Sequence, residues 1–310
     1  MKGNRTTGRS VANKRISIAF VGAGKLAGFL APALVHAGCR ITEIVGRKEA
    51  GSRKRARALA RRVDAKAATL DTAALDAESV WLAVPDGEIR HVAEVLRRRL
   101  ERPAPGSVGS KGVTVTAAPR FAFHSSGALG SRELAALRKV GISTASIHPL
   151  MTFVAGSKPS LRGVPIAVEG DEAAVRAALS FVHKLGGEAF VLSPGRKVAY
   201  HAWATMCSPL LLAYLVTLEQ SAREAGLGRE GARRMSLTIV QQTVENYRRL
   251  GSASSFSGPF VRGDADTVER HLTLLRRNPQ TRAVYVALAR VALNRLPVRN
   301  RKKLTTLLED

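Results

Sequence analysis

The chain has 310 residues, a formal net charge of +25 and two cysteines. That length allows two domains or one large one. A chain of this size buries about 75% of its unfolded surface, which excludes a fold dependent on disulfide or metal staples. Cys39 and Cys207 lie far apart in apolar stretches with no CxxC, which argues for a reduced, cytoplasmic compartment.

Residues 1–14 are polar and basic and lack an apolar h-region, so they read as a disordered tail rather than a secretory signal. An apolar run, Ile16–Val21, then reads as a buried strand. It runs directly into Gly22-Ala23-Gly24-Lys25-Leu26-Ala27 and a helix to about Ala37, closed by Gly38. Gly22 permits a tight turn, Gly24 lets backbone approach a pyrophosphate, and the small Ala27 lets helix pack on strand. Free N–H groups at the helix start favour phosphate. Gly22, Gly24, Lys25 and Leu26 are therefore expected to bind a dinucleotide.

Strand two is Ile41–Val45, followed by a basic helix to about Arg62. An NAD site places an acidic residue at the tip of this strand for the ribose hydroxyl. Here Val45-Gly46 is followed by Arg47-Lys48, which would pair with a 2′-phosphate. NADP is expected rather than NAD. Val80–Val84 is the next strand, stopped by Pro85, and Val84 and Pro85 at its tip are also assigned to the cofactor. Asp86 is expected to cap a helix reaching about Leu100. The segment Pro103–Pro119, rich in Gly, Pro, Ser and Thr, reads as a long surface loop.

Phe121–His124, Thr144–His148 and Val164–Val168 read as further strands, with a helix over Asp171–Leu185 and a last strand over Ala189–Leu192. Strands alternating with helices predict an α/β fold with a Rossmann-like parallel sheet. After Ser193-Pro194-Gly195 only helices follow, broken near Gly226–Gly228, Gly251–Gly263 and Asn278-Pro279. The expected division is a tail (1–14), a dinucleotide-binding domain (15–194) and an all-helical domain (195–310). Val198–Leu218 carries no Lys, Arg, Asp or Glu and is long enough to span a bilayer. Tyr200, His201, Thr205, Ser208 and Pro209 within it favour a helix buried in the helical domain, and no membrane partner.

Four polar clusters interrupt the apolar pattern. His124-Ser125-Ser126-Gly127-Ala128 and Ser146-Ile147-His148-Pro149-Leu150 stand at strand ends, where open parallel sheets bind ligands. His124 and Ser125 are expected to orient the reacting group, and His148 to contact substrate. Lys197, Tyr200, His201 and Ser208 share one helical face by their spacing. Lys197 and His201 are the expected proton donors, with Tyr200 and Ser208 against the substrate. In Ser257–Asp264, Arg262 is suited to clamp an anionic group, and Asp266 with Glu269 resembles a capping box.

This ordering resembles an uncharacterised family that joins a Rossmann-like domain to a helical domain of unknown function. The resemblance rests on Gly22–Ala27, Ala83-Val84-Pro85-Asp86, His124–Ala128, Ser146–Phe153, the Lys197/Tyr200/His201 set and Gly258–Leu272, and covers about Arg15 to Leu293. In layout the family is similar to pyrroline-5-carboxylate reductase and to the β-hydroxyacid and 6-phosphogluconate dehydrogenases. That similarity implies a helical domain that forms a homodimer and completes the active site. Pro209 departs from the pattern, since an asparagine commonly follows the serine matching Ser208.

The leading expectation is an NADP-dependent oxidoreductase that moves hydride to or from a small, anionic C=O or C=N substrate. The alternative is a non-catalytic NADP-binding sensor or scaffold. Basic clusters at Arg47–Arg62, at Arg97, Arg98, Arg99 and Arg102, and at Arg295–Lys303 would attract nucleic acid without sequence preference. The spacing of His124, His148 and His201 carries no metal-ligand signature.

Overall fold

The computed structural model describes residues 15–101, 118–154 and 160–309. The basic tail, Arg102 and nearly all of the Pro103–Pro119 loop lie outside them. The chain divides into two compact units, Met1–Ala204 and Thr205–Asp310.

In the first unit the elements run β1 (Ser17–Val21), α1 (Lys25–His36), β2 (Arg40–Gly46), α2 (Ala50–Arg62), β3 (Lys66–Thr69), β4 (Ser79–Leu82), α3 (Ile89–Glu101), β5 (Phe121–His124), α4 (Ala135–Arg138), β6 (Ser143–Pro149), β7 (Pro165–Gly170), α5 (Glu172–Lys184), β8 (Glu188–Val191) and α6 (Lys197–Thr205). The eight strands form one sheet in the order β3-β2-β1-β4-β5-β6-β7-β8. The chain reverses its direction of travel across the sheet between β1 and β4, and at such a switch point open α/β sheets bind ligands.

The sheet is mostly parallel, with one exception. β6 and β7 pair antiparallel, Ile147 opposite Val168. A parallel neighbour needs a crossover, usually helical, and among the described residues between these strands there is no helix. β3 was not expected. Its Lys66-Ala67-Ala68-Thr69 run lacks the bulky β-branched residues that mark a strand, and it sits at an edge, where Lys66 discourages further pairing.

Each face of the sheet carries its own core. On one face α1, α2 and α5 bury Leu30, Leu34, Leu59, Phe181 and Val182. Trp81 links the strands here, stacked on Phe20 at 5.7 Å and tilted against Phe123 at 5.4 Å. On the other face α3 and α4 bury Ile89, Val92, Leu96 and Leu137. Burying aromatics of this size stabilises by about 1.5–3 kcal/mol each, before cavity terms.

The second unit contains α7 (Leu211–Glu224), α8 (Arg229–Ser255), α9 (Pro259–Arg262), α10 (Ala265–Leu275), α11 (Pro279–Arg295) and α12 (Arg301–Leu307). Its core is formed by Val268, Leu272, Val286, Leu293, Leu304 and Leu308 from α10, α11 and α12. Asn278 caps α11 by accepting from the Thr281 N–H at 3.1 Å, with Pro279 at the helix start. The expected capping box at Asp266 and Glu269 is displaced: α10 starts earlier, capped by Asp264, whose carboxylate accepts from the Thr267 N–H at 3.1 Å and hydroxyl at 2.8 Å. Gly251 breaks α8 with φ 74°, a conformation that costs glycine little.

The compact units part between Ala204 and Thr205, and α6 is fastened into the first of them by the Lys197 side chain. One expectation is corrected. The apolar stretch Val198–Leu218 is buried only at Tyr200 and Ala204 on α6: no residue of α7 is buried, and Leu212 stands 62% exposed. Among the described residues, Lys197–Glu224 is the one helix long and apolar enough to cross a membrane by length and composition. Within it, Met206–Leu210 forms a π-helical turn around Pro209. Proline has no N–H to give the ordinary helical ladder, and a wider turn absorbs that loss.

Candidate active site

The glycine loop closes the end of β1 tightly against β4. Gly22 has φ +112°, and a Cβ there would lie 2.2 Å from the Ala83 carbonyl oxygen. No other residue fits. Gly24 differs: a Cβ there would meet nothing within 4 Å, so this backbone borders open space. Gly24 is also the N-cap of α1, no side chain satisfies the first N–H groups, and no acidic residue stands in the first turn. The donors and the positive helix end are thus left for an anion. Ala27 is fully buried under the sheet, which its small size allows.

At the tip of β2 the Arg47 N–H donates to Ser52 Oγ at 2.9 Å, which fixes the turn into α2. The Arg47 guanidinium is exposed and 3.9 Å from Glu49, and Lys48 pairs with Asp71 at 2.7 Å. Exposed pairs of this kind are worth about 0–1 kcal/mol. They therefore leave both cations free to exchange partners for a phosphate.

Beyond the ends of β5 and β6 lies a second group of polar side chains, joined to α6. Lys197 is 4% exposed, and its ammonium donates to the Ser126 carbonyl at 2.7 Å and to Ser146 Oγ at 2.9 Å. Burial lowers its pKa to about 8, opposed by the charges of Glu169 and Asp86. Ser126 is itself held, its Oγ donating to the Asp86 carboxylate at 2.7 Å and accepting from the Leu129 N–H at 2.9 Å. One turn along α6, the Tyr200 hydroxyl lies 2.8 Å from His148 Nδ1. Burial pushes the Tyr200 phenol up to about 12. Burial, then the charges of Lys197, His201 and His124, lowers His148 to about 4. The His148 and His201 rings stand edge to face at 6.2 Å. Gly127 lies beneath both, and a Cβ there would fall 2.5 Å from His201 and 2.8 Å from His148 Nε2. The chain thus juxtaposes a buried ammonium, two imidazoles and a phenol at strand ends, packed on the loop after β5.

Residues 17–104 match the family described as NADP oxidoreductase coenzyme F420-dependent, and residues 164–292 match DUF2520, a domain of unknown function. The chain joins an NADP-oxidoreductase domain to a DUF2520 domain. These matches support an oxidoreductase with NADP as its cofactor. No curated protein matches the chain in sequence. Its fold matches a protein from Thermotoga maritima (24% identity, TM-score 0.65, covering 94% of this chain and 98% of that one). It also matches an imine reductase from a Pseudomonas species (18% identity, TM-score 0.59, 91% and 94% covered). A third match is a Plasmodium falciparum pyrroline carboxylate reductase with NADP bound (12% identity, TM-score 0.54, 95% and 96% covered).

Of the residues expected to bind cofactor, Gly22, Gly24, Lys25, Leu26, Val84 and Pro85 gather around the ends of β1 and β4. His124, Ser125, His148, Lys197, Tyr200 and His201 all lie in the first unit. Two of them are occupied with the scaffold. His124 is fully buried, its Nδ1 accepting from the Ser126 N–H at 3.2 Å and its Nε2 lying 3.1 Å from the Gly130 carbonyl. Burial lowers it to about 4 despite that carbonyl. Ser125 Oγ accepts from the Trp81 indole at 2.9 Å. Both shape the loop after β5 instead of pointing free atoms at a ligand. Ser208 and Arg262 belong to the second unit. There Arg262 is exposed and 4.0 Å from Asp264.

Asp86 does not cap α3. It opens a short 3-10 turn, Asp86–Glu88, and its carboxylate goes to Ser126. Asp86, Ser126, Gly127 and Ser146 were not singled out from the sequence for these roles. The available signal was alternation on β6: Ser146 and His148, two apart, face the same side. Among the described residues no group of three or more His, Cys, Asp or Glu could hold a metal ion.

Proposed function

We propose that this chain transfers hydride between NADP and a small anionic carbonyl or imine compound, at the cluster of Gly127, His148, Lys197, Tyr200 and His201. NADP supplies or accepts the hydride. The residues present suit it: Gly24 leaves open space at an uncapped helix start, and Arg47 and Lys48 stand where an acidic residue would favour NAD. Gly22, Lys25, Leu26, Val84 and Pro85 complete the set that would hold it.

The observation that carries the reading is the buried Lys197 ammonium. Charge is costly to bury, and perturbed groups in clefts mark functional sites. With a pKa near 8, Lys197 can hold or release a proton close to neutrality. In this reading Lys197 and His201 move the proton, His148 and Tyr200 face the substrate, and His124 and Ser125 position the loop that carries Gly127.

We assign the second unit (residues 205–310) to association as a homodimer. Val216, Ile239, Val244 and Leu250 are all more than half exposed on α7 and α8, and contiguous apolar patches of this kind mark interaction surfaces. Cytoplasmic placement accords with Cys39 and Cys207 both being free thiols. A non-catalytic NADP-binding role draws support from one observation: the Lys197 ammonium spends two donors on scaffold atoms.

The test is turnover of NADPH by the full chain against carbonyl and imine panels, beside the variants Lys197→Met and His201→Ala. The reading expects turnover that both variants lower, with NADPH affinity unchanged. NADPH binding without oxidation across both panels would favour the non-catalytic role.

A further inference from the structure

Tyr200 and His148 form a pair whose chemistry goes beyond substrate contact. Tyr200 is 7% exposed, and its ring packs against Phe190 at 5.8 Å and Trp203 at 5.9 Å. Lys197 Nζ lies 5.7 Å from its ring centre. The phenol is thereby fixed, and its oxygen lies 2.8 Å from His148 Nδ1, with the two rings nearly perpendicular at 82°. No second partner competes for that hydroxyl among the described hydrogen bonds. A phenol O–H is a stronger acid than a neutral imidazole N–H, and an imidazole nitrogen is a stronger base than a phenol oxygen. The proton between them therefore rests on Tyr200 and is donated to Nδ1. That leaves the ring hydrogen on Nε2, because a neutral imidazole carries only one.

Nε2 is the atom that meets Gly127, 2.8 Å from where a Cβ would stand. It has no hydrogen-bond partner among the described residues. A side chain at 127 would collide with this nitrogen, and glycine avoids that.

We infer that His148 is held as the Nε2–H tautomer by Tyr200 and presents that N–H, uncharged, to a carbonyl oxygen of the substrate. This rests on the reading of the strand-end cluster as the reduction site, and it narrows the substrate class to carbonyls. A neutral N–H stabilises the negative charge that grows on the oxygen as hydride reaches the carbon, and the proton that completes the alcohol comes from Lys197 or His201. An iminium carries no oxygen on which such charge could grow, so this donor would have nothing to stabilise there. The charges that act on His148 are those of Lys197, His201 and His124, and the Lys197 ammonium repels a cationic iminium; the nearby carboxylates Asp86 and Glu169 are engaged with Ser126 and Ser131. Gly127 is then a specificity-determining position, since any side chain there blocks the donor.

The experiment is nitrogen NMR on the full chain with ring-labelled histidine, His148 being assigned by the signals lost in His148→Gln. The expected result is a protonated Nε2 and an unprotonated Nδ1 at pH 7.5. In Tyr200→Phe, which removes only the hydroxyl, the His148 signals should redistribute between both tautomers. A protonated Nδ1 in the parent chain, or unchanged signals in Tyr200→Phe, would overturn the inference. On substrate panels with NADPH, turnover confined to cyclic imines would overturn the carbonyl assignment. An NADPH titration of the same samples separates the two readings: failure to bind defeats the cofactor reading and leaves the tautomer result standing.

Discussion

The two units of this chain treat apolar residues in opposite ways. In residues 1–204 the large side chains Trp81, Phe20, Phe123 and Phe181 are fully buried between sheet and helices, and polar groups are tied by hydrogen bonds that cross many residues. In residues 205–310 only α10, α11 and α12 close a core, while α7 and α8 leave Leu211, Leu212, Val216, Ile239 and Val244 exposed. The difference teaches a division of labour. A Rossmann-like unit completes its own core and can hold a precise polar cluster at its strand ends. A helical unit that does not complete its core has apolar surface left over for another molecule.

The comparison can be broken at its most exposed point. Leu212→Asp with Val216→Asp puts two charges on the face assigned to association. The expected outcome is monomer in light scattering where the parent chain is a dimer, with NADPH affinity unchanged. A parent chain that is already monomeric would contradict the assignment.

Gly127→Val tests the other unit. The branched side chain would fall on His148 and His201. Displacing positioned groups by about an ångström costs on the order of 100-fold, so turnover should fall at least that far while the oligomeric state is kept. Full turnover would remove Gly127 from the account.

The pH dependence of stability should also divide between the units. His124 and His148 titrate near 4 in the fold, against 6.5 unfolded. Below 6.5 the unfolded chain therefore binds more protons, and stability falls as pH drops from about 6.5 towards 4. Each histidine accounts for a loss on the order of 3 kcal/mol across that window. Chemical denaturation from pH 7 to pH 4.5 should show the loss, and His148→Gln should remove about half of it. A flat profile would mean that neither imidazole is buried as described.

The smallest effect sharpens the cofactor end. Removing both cations in Arg47→Ala with Lys48→Ala should weaken NADPH about tenfold, near 1.4 kcal/mol, and leave NADH almost unchanged. Equal weakening of both would show that the cations act on the pyrophosphate or on the general field, and not on the 2′-phosphate.

Much of the first unit was legible because apolar runs are punctuated. Ile16–Val21 ends at Gly22 and Val80–Val84 at Pro85, so strand ends and the phosphate loop are visible in one dimension. β3 was not legible, since Lys66-Ala67-Ala68-Thr69 acquires its strand character from pairing with Glu43–Gly46. The antiparallel direction of β7 was not legible either, because strand composition carries no sign of direction. The exposure of α7 was misjudged for a related reason: apolar composition shows that a surface wants cover but not which molecule provides it. At the site, the residue types were legible and the bonds were not. Lys197 meets Ser126 across 71 positions, and only the folded sheet brings β5, β6 and α6 together.

The central claim is that the strand-end cluster of the first unit faces the reacting end of the cofactor. A crystal structure of the full chain with NADP bound tests it most directly. The account predicts the nicotinamide ring in van der Waals contact with the loop at Gly127, beside His148 and His201. A nicotinamide bound elsewhere, with Lys197, His148 and Tyr200 holding their present hydrogen bonds undisturbed, would contradict it.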